Sequence, residues 1–254
     1  MVILKATGLK KIYEGNNHFS PIAALNYVNL EVEEGSFTSI MGPSGSGKTT
    51  LLNILSGLSE PTSGEVRIKD QDLHKMSKDE LARFRRSHLG FIFQDYNLLD
   101  GLSVKENIML SRILEKSDVT SMLEKAKYLM KLFSIEDIAE KYPHNISGGE
   151  QQRCAIARAL MSDTSIVFAD EPTGNLDSKS AKAVMHAFGR ANVENKATIL
   201  MVTHDPYTAS YGGRVIFIKD GGVETEIYRK DTQKEFFNQI IDNLAALEGE
   251  NCDV

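Results

Sequence analysis

Apolar and polar residues alternate from Tyr27 to Val32, the period-two pattern of a strand buried on one face. Met1 to Met41 as a whole reads as strands and ends in an apolar, β-branched stretch at Phe37 to Met41. Strand patterns return at Glu65 to Lys69, Leu89 to Phe93, Ser165 to Ala169, Ala197 to Thr203 and Arg214 to Lys219. Helical spacing marks Lys48 to Leu55, Lys78 to Ser87, Val104 to Leu114, Met122 to Phe133 and Gly148 to Leu160. Apolar strands alternating with helices predict an α/β fold around a buried parallel sheet. No internal repeat, low-complexity tract or flexible interdomain linker breaks the pattern.

The segment between the Phe37–Met41 strand and the first helix reads Gly42, Pro43, Ser44, Gly45, Ser46, Gly47, Lys48, Thr49, Thr50. Phosphates are multiply charged, so a loop that binds them must aim several backbone N–H groups at one spot. Glycines let the chain curl that tightly and approach that closely. Gly42, Gly45 and Gly47 supply the curl, Lys48 can reach the terminal phosphates, and Thr49 can hold Mg2+ where a helix dipole favours anions. A Gly/Ser linker is the plain alternative, but linkers do not sit between a buried strand and an apolar helix.

Two further groups invite chemistry. Asp170 and Glu171 close the apolar run from Ile166 and precede Pro172, which fits either a metal-and-base pair or a helix cap. Asp170 is placed to reach Mg2+ through water, and Glu171 to polarise an attacking water as general base. Ser147, Gly148, Gly149, Glu150 and Gln151 open the helix from Gly148. Its first N–H groups and positive dipole end offer a second anion site. By itself, Ser-Gly-Gly is also an ordinary glycine-rich helix start.

With these motifs in this order, the chain resembles the nucleotide-binding subunits of ATP-binding-cassette transporters from about Val2 to Val223. The resemblance implies a phosphate-loop (RecA-like) α/β core with a mostly parallel sheet, an antiparallel β subdomain and a helical signature subdomain. The core and β subdomain would take residues 1–94 and 163–230, the helical subdomain 95–162, and a helical tail 231–254. Tyr13 would stack on adenine, although a tyrosine near a strand end is commonly an interfacial side chain. Gln94, otherwise a plain loop residue, would contact Mg2+ and report ATP to a partner. Thr49, Gln94 and Asp170 would form the Mg2+ set, and His204 would touch the γ-phosphate. The family pairs two copies head to tail, with ATP between the phosphate loop of one and Ser147 of the other, and Asp177 across the interface.

Composition adds exclusions. Among 254 residues, 29 Lys+Arg face 35 Asp+Glu, a net charge of −6 that argues against a nucleic-acid partner. No apolar run approaches the roughly 18–20 residues of a membrane span, and Met1 to Lys10 lacks a secretory pattern. Any membrane association would therefore come through a partner, and the resemblance implies a cytoplasmic chain, peripheral on the inner membrane face through an integral permease. Cys154 and Cys252 are too few for a disulfide framework or metal site, and Cys154 reads as a small core residue.

Longer strings narrow the resemblance. Leu89-Gly90-Phe91-Ile92-Phe93-Gln94 followed by Asp95-Tyr96-Asn97-Leu98-Leu99 is similar to ATPases of the macrolide-export and lipoprotein-release group. Met201-Val-Thr-His-Asp-Pro and Gly213-Arg-Val-Ile-Phe-Ile-Lys-Asp-Gly resemble the ATPases of bacitracin- and lantibiotic-resistance transporters of Gram-positive bacteria. In those systems a sensor histidine kinase accompanies the permease. A cassette ATPase acting on DNA would carry a long coiled-coil insertion, and none is present. A regulatory ATPase driving a non-transport membrane complex fits the same chain. In the tail, Phe236, Phe237, Ile240, Ile241 and Leu244 form a stripe at helical spacing. That stripe suits either packing on its own domain or contact with a second copy or a sensor partner.

Overall fold

The computed structural model describes residues 1–14 and 21–249. They fall into two compact units, Met1–Leu81 with Leu200–Val254, and Ala82–Ile199. The first unit opens with β1 (Val2–Tyr13), β2 (Ile22–Glu33), β3 (Phe37–Met41), α1 (Lys48–Leu55), β4 (Ser63–Ile68) and β5 (Gln71–Asp72). An antiparallel sheet runs β2-β1-β4-β5. The expected alternation holds along β2: Val28, Leu30 and Val32 are buried while Asn29, Glu31 and Glu33 face outward. Every residue of β3 is buried, as befits a strand covered on both faces.

From α2 (Lys78–His88) the chain enters the second unit. There β6 (Leu89–Ile92) is followed by α3 (Val104–Leu114), α4 (Val119–Leu132), α5 (Gly148–Ala159), β7 (Ile166–Asp170) and α6 (Ser178–Asn195). The strands β6 and β7 pair in parallel, Ile92 opposite Ala169. The helix α5 is the hub, packing on α3, α4, α6 and β6. The fourth helix starts at Val119 rather than at Met122, because the Asp118 side chain accepts from Ser121 N–H at 2.8 Å and caps an earlier turn. The pattern reading did not anticipate α6, whose buried Val184, Phe188 and Ala191 recur at helical spacing.

The chain then returns to the first unit through β8 (Ile199–Val202), α7 (Pro206–Ala209), β9 (Arg214–Lys219), β10 (Gly222–Tyr228) and α8 (Gln233–Gly249). Neighbouring strands run β10-β9-β3-β8, with β3 and β9 parallel and the β9–β10 hairpin antiparallel. Asp220 and Gly221, both at positive φ, make the tight turn of that hairpin. The architecture is thus an α/β fold with mostly parallel pairing around the glycine loop that follows β3, beside an antiparallel sheet. On α8, Phe236, Ile240 and Leu247 are buried against Met41, Ala209, Val215 and Phe217. Each such side chain contributes about 1.5–3 kcal/mol by leaving water. The stripe therefore divides: Phe236 and Ile240, with Leu244 partly buried beside them, pack on the helix's own unit, while Ile241 stays exposed. Residues 250–254 of the tail lie outside the described part.

Candidate functional site

In the first unit, the loop from Gly42 to Gly47 joins buried β3 to α1. Gly47 is the residue before the helix, at φ +97°, and a Cβ there would lie 2.3 Å from the Ala24 carbonyl. A Cβ on Gly42 would lie 2.1 Å from the Ile218 carbonyl. Neither position admits a side chain, so the loop's course is set by its glycines. Straps hold it in place: Gly221 N–H donates to Ser46 O at 3.2 Å, and Asn26 N–H to Gly221 O at 2.8 Å. Lys48 is buried, and its ammonium donates to the carbonyls of Gly42 at 2.8 Å and Pro43 at 2.7 Å. Pro43, Ser44, Gly45 and Thr49 are exposed, Thr50 is half-buried and Ser46 is buried.

The start of α1 differs from the others. No side chain caps it, whereas α3, α4, α5, α6 and α7 each begin with a side chain accepting from first-turn N–H groups. An uncapped helix start within a glycine loop aims peptide dipoles at whatever anion arrives. His204 follows β8, whose next residue Thr203 donates its N–H to Ile40 O of β3 at 3.1 Å. That bond sets exposed His204 at the strand-end edge from which the glycine loop springs. Asp205 then caps α7, accepting from Tyr207 N–H at 3.2 Å and Thr208 N–H at 2.9 Å. The Asp-Pro pair at 205–206 is a readable sequence signal for that cap. Tyr13 ends β1 with 46% of its surface exposed, and Lys11 Nζ stands 5.2 Å from its ring centre.

The second unit gathers the remaining residues. The β6–β7 register sets Gln94 and Glu171 each two residues beyond a paired position, at the carboxyl ends of adjacent strands. Ligand crevices of α/β sheets form at such ends. Asp170 and Glu171 are half-buried. Gln94 Nε2 donates to Asn175 Oδ1 at 2.9 Å, and Asn175 Nδ2 donates to Asp95 Oδ1 at 2.9 Å. The segment after Gln94 is pinned as well. Tyr96 and Asn97 both have positive φ, and Arg158 donates to their carbonyls at 2.9 and 2.5 Å.

The start of α5 carries a capping box in addition to its glycines. Ser147 and Glu150 form a reciprocal capping box: Ser147 N–H and Oγ–H donate to Glu150 Oε2 at 2.8 and 2.7 Å, and Glu150 N–H donates back to Ser147 Oγ at 3.4 Å. The Ser-x-x-Glu spacing was its signal. Hydrogen bonds from Ser147 hold the Glu150 carboxyl below its usual range. The exposed Ser147 hydroxyl thus has a partner within its own helix. Gly148 and Gly149 let α5 approach Tyr96 and Ser180 closely, with built Cβ positions 2.6 and 3.0 Å from those side chains. Gln151 reaches back, donating to Ile146 O at 3.3 Å. Asp177 caps α6, accepting from Lys179 N–H at 2.9 Å and Ser180 N–H at 3.1 Å. Cys154 is fully buried, and burial pushes its thiol up to about 12, so the core reading stands.

Mg2+ favours hard oxygen donors. Thr49 offers an exposed hydroxyl, Asp170 a carboxylate and Gln94 an amide oxygen, so the donor chemistry fits that ion.

Comparison with known proteins bears on both units. Residues 25–174 match the family model described as ABC transporter. An ABC transporter ATP-binding protein, YxdL of Bacillus subtilis (strain 168), is 47% identical over 99% of this chain and 97% of its own length. The bacitracin export ATP-binding protein BceA of Halalkalibacterium halodurans is 46% identical over 100% of both chains. Among solved structures, the ATP-binding cassette MJ0796, a dimer in a post-hydrolysis state with ADP and Pi, aligns with a TM-score of 0.80 at 40% identity. That alignment covers 90% of this chain and 100% of MJ0796.

Proposed function

We propose that this chain, which belongs to the ABC transporter family and is the ATP-hydrolysing subunit of an exporter, powers resistance to antimicrobial peptides of the bacitracin and lantibiotic class. The observation that carries the nucleotide chemistry is the uncapped start of α1 behind the glycine loop, with Lys48 held at its mouth. The peptide-resistance reading draws support from the full-length likeness to a bacitracin export ATP-binding protein.

In this reading the triphosphate lies along Gly42 to Thr50, with Lys48 countering phosphate charge and Tyr13 stacking on the base. Thr49, Gln94 and Asp170 would hold Mg2+, which supplies charge neutralisation when bound. Glu171 takes a proton from the attacking water, and His204 orients the γ-phosphate. A second copy of the chain completes the site, contributing Ser147, Gly148, Gly149, Glu150 and Gln151, with Asp177 at the junction. Binding then closes the pair and hydrolysis releases it. Residues 95–162 serve as the helical subdomain that relays this motion.

The output requires a membrane partner. Among the described residues no helix is long and apolar enough to cross a membrane, so work on an extracellular peptide passes through an integral permease at the inner face. The segment from Gln94 to Ile108 is our docking surface. Val104 is buried core, whereas Leu99 exposes 49% of its surface and is available to a short permease helix. Cells carrying Glu171→Gln should become more sensitive to bacitracin or lantibiotics while growing normally without them. Unchanged sensitivity across a peptide panel, with the variant expressed and bound to its permease, would overturn the resistance role and leave the exporter ATPase standing.

A further inference from the structure

Gln152 is wholly buried on α5. Its Nε2 donates to the Pro172 carbonyl at 2.8 Å and to the Phe93 carbonyl at 3.3 Å. Phe93 immediately precedes Gln94, and Pro172 immediately follows Glu171. One amide therefore ties the chain at the ends of both β6 and β7 to the helix that begins after Ser147.

Glu171 is a point that needs holding. Its φ is +44°, a left-handed conformation that a residue with a side chain keeps only where its neighbours over-determine it. On one side, Gly174 N–H closes a turn onto Glu171 O at 3.0 Å. The next residue is a proline and has no N–H with which to anchor itself. Gln152 fixes it from outside, through the proline's carbonyl.

The cost of this arrangement points to its purpose. Two carbonyl acceptors oblige the amide nitrogen to face them, which turns Oε1 into the interior, where no protein group donates to it. A buried acceptor left unsatisfied destabilises a fold, so what this amide returns is the pair of carbonyls it holds, which an apolar side chain of the same length would leave without their donor. Packing alone does not call for glutamine here.

We propose that Gln152 is a positioning residue for hydrolysis, holding the Glu171 carboxylate in the orientation that faces the attacking water and in register with Gln94 and Ser147. The proposal rests on Glu171 acting as the base. Displacement by about 1 Å of a reacting group can cost on the order of 10²-fold in rate. Gln152→Met preserves length and removes both donors.

The test uses the full chain, with ATP affinity, multiple-turnover and single-turnover hydrolysis measured for Gln152→Met, Glu171→Gln and the double variant. We expect Gln152→Met to bind ATP within about twofold of the parent while kcat falls roughly 10- to 100-fold. The double variant should be no slower than Glu171→Gln alone, because nothing remains to be positioned. In Gln152→Glu, only the protonated acid can donate to a carbonyl, so its turnover relative to the parent should rise as pH falls. Parental kcat in Gln152→Met, or a loss that multiplies in full onto Glu171→Gln, overturns the proposal. If Gln152→Met does not fold, a pH-independent ratio for Gln152→Glu overturns it instead. Normal turnover by Glu171→Gln alone removes the base assignment, and so is distinguishable from a failure confined to Gln152.

Discussion

Lys48 is bonded back onto Gly42, its Nζ donating to that carbonyl at 2.8 Å, so the cation belongs to the loop rather than to solvent. A second bond, to Pro43 O at 2.7 Å, completes the clamp. The ammonium thus stands ready at the loop without ordering a long side chain when phosphate binds. Hydrogen bonds to charged groups are worth about 1.5–3 kcal/mol. Lys48→Ala should weaken ATP binding roughly 10- to 100-fold, measured by titration calorimetry on the isolated chain. Unchanged affinity would contradict the role of this loop.

Gly47 tests the loop's backbone. With φ +97° and a Cβ position 2.3 Å from Ala24 O, alanine there forces β2 or the loop to move. Gly47→Ala should cost on the order of 1–3 kcal/mol and lower Tm by about 2–4 °C for each kcal/mol. Scanning calorimetry reads this directly. A Tm equal to the parent's would mean that the loop relaxes at no cost.

The capping box at α5 predicts an acid-side effect. The Glu150 carboxyl lies below its usual range because Ser147 donates to it, so its ionised form is favoured by folding. Its contribution is complete above the ordinary carboxylate range and is lost as pH falls through the lowered value. The Tm deficit of Glu150→Gln should be largest near neutrality and shrink toward zero in acid. A deficit that stays constant from neutral pH to below the carboxylate range would contradict the cause assigned to the shift.

The same residues predict behaviour in association. Ser147→Arg places bulk and charge at the start of α5 and should block ATP-driven dimerisation while leaving monomer ATP affinity near the parent's. Glu150→Gln removes an anion from that helix start and should tighten the dimer. Analytical ultracentrifugation with ATP and Mg2+ follows both. Equal loss of monomer ATP binding in Ser147→Arg and Lys48→Ala would refute the composite site.

Local chemistry was legible in the sequence wherever it depends on neighbours in the chain. The glycine loop, α1, α3 and the apolar strands come from spacing, and their observed bounds agree within a residue or two. The strand β10 is marked only by Asp220-Gly221 at its hairpin, its own residues being mostly exposed, and α6 carries its buried Val184, Phe188 and Ala191 among many polar positions. What no pattern discloses is contact across long separations. Asn175 meets Gln94 from 81 residues away, and Gln152 finds Pro172 and Phe93 only once α5 has packed against the strand ends. Exposure on α8 is similar: Phe236 and Ile241 share a stripe, and only the packing of Met41 and Phe217 decides which is buried.

The central claim is that Glu171 drives hydrolysis in an ATP-bridged pair of these chains. Its most direct test is phosphate release measured together with molar mass by light scattering, for the parent and Glu171→Gln in ATP and Mg2+. The account predicts ATP affinity near the parent's, turnover reduced by about 10²–10⁴-fold, and accumulation of a stable dimer in the variant alone. Turnover near the parent's, or a variant that stays monomeric with ATP bound, would contradict it.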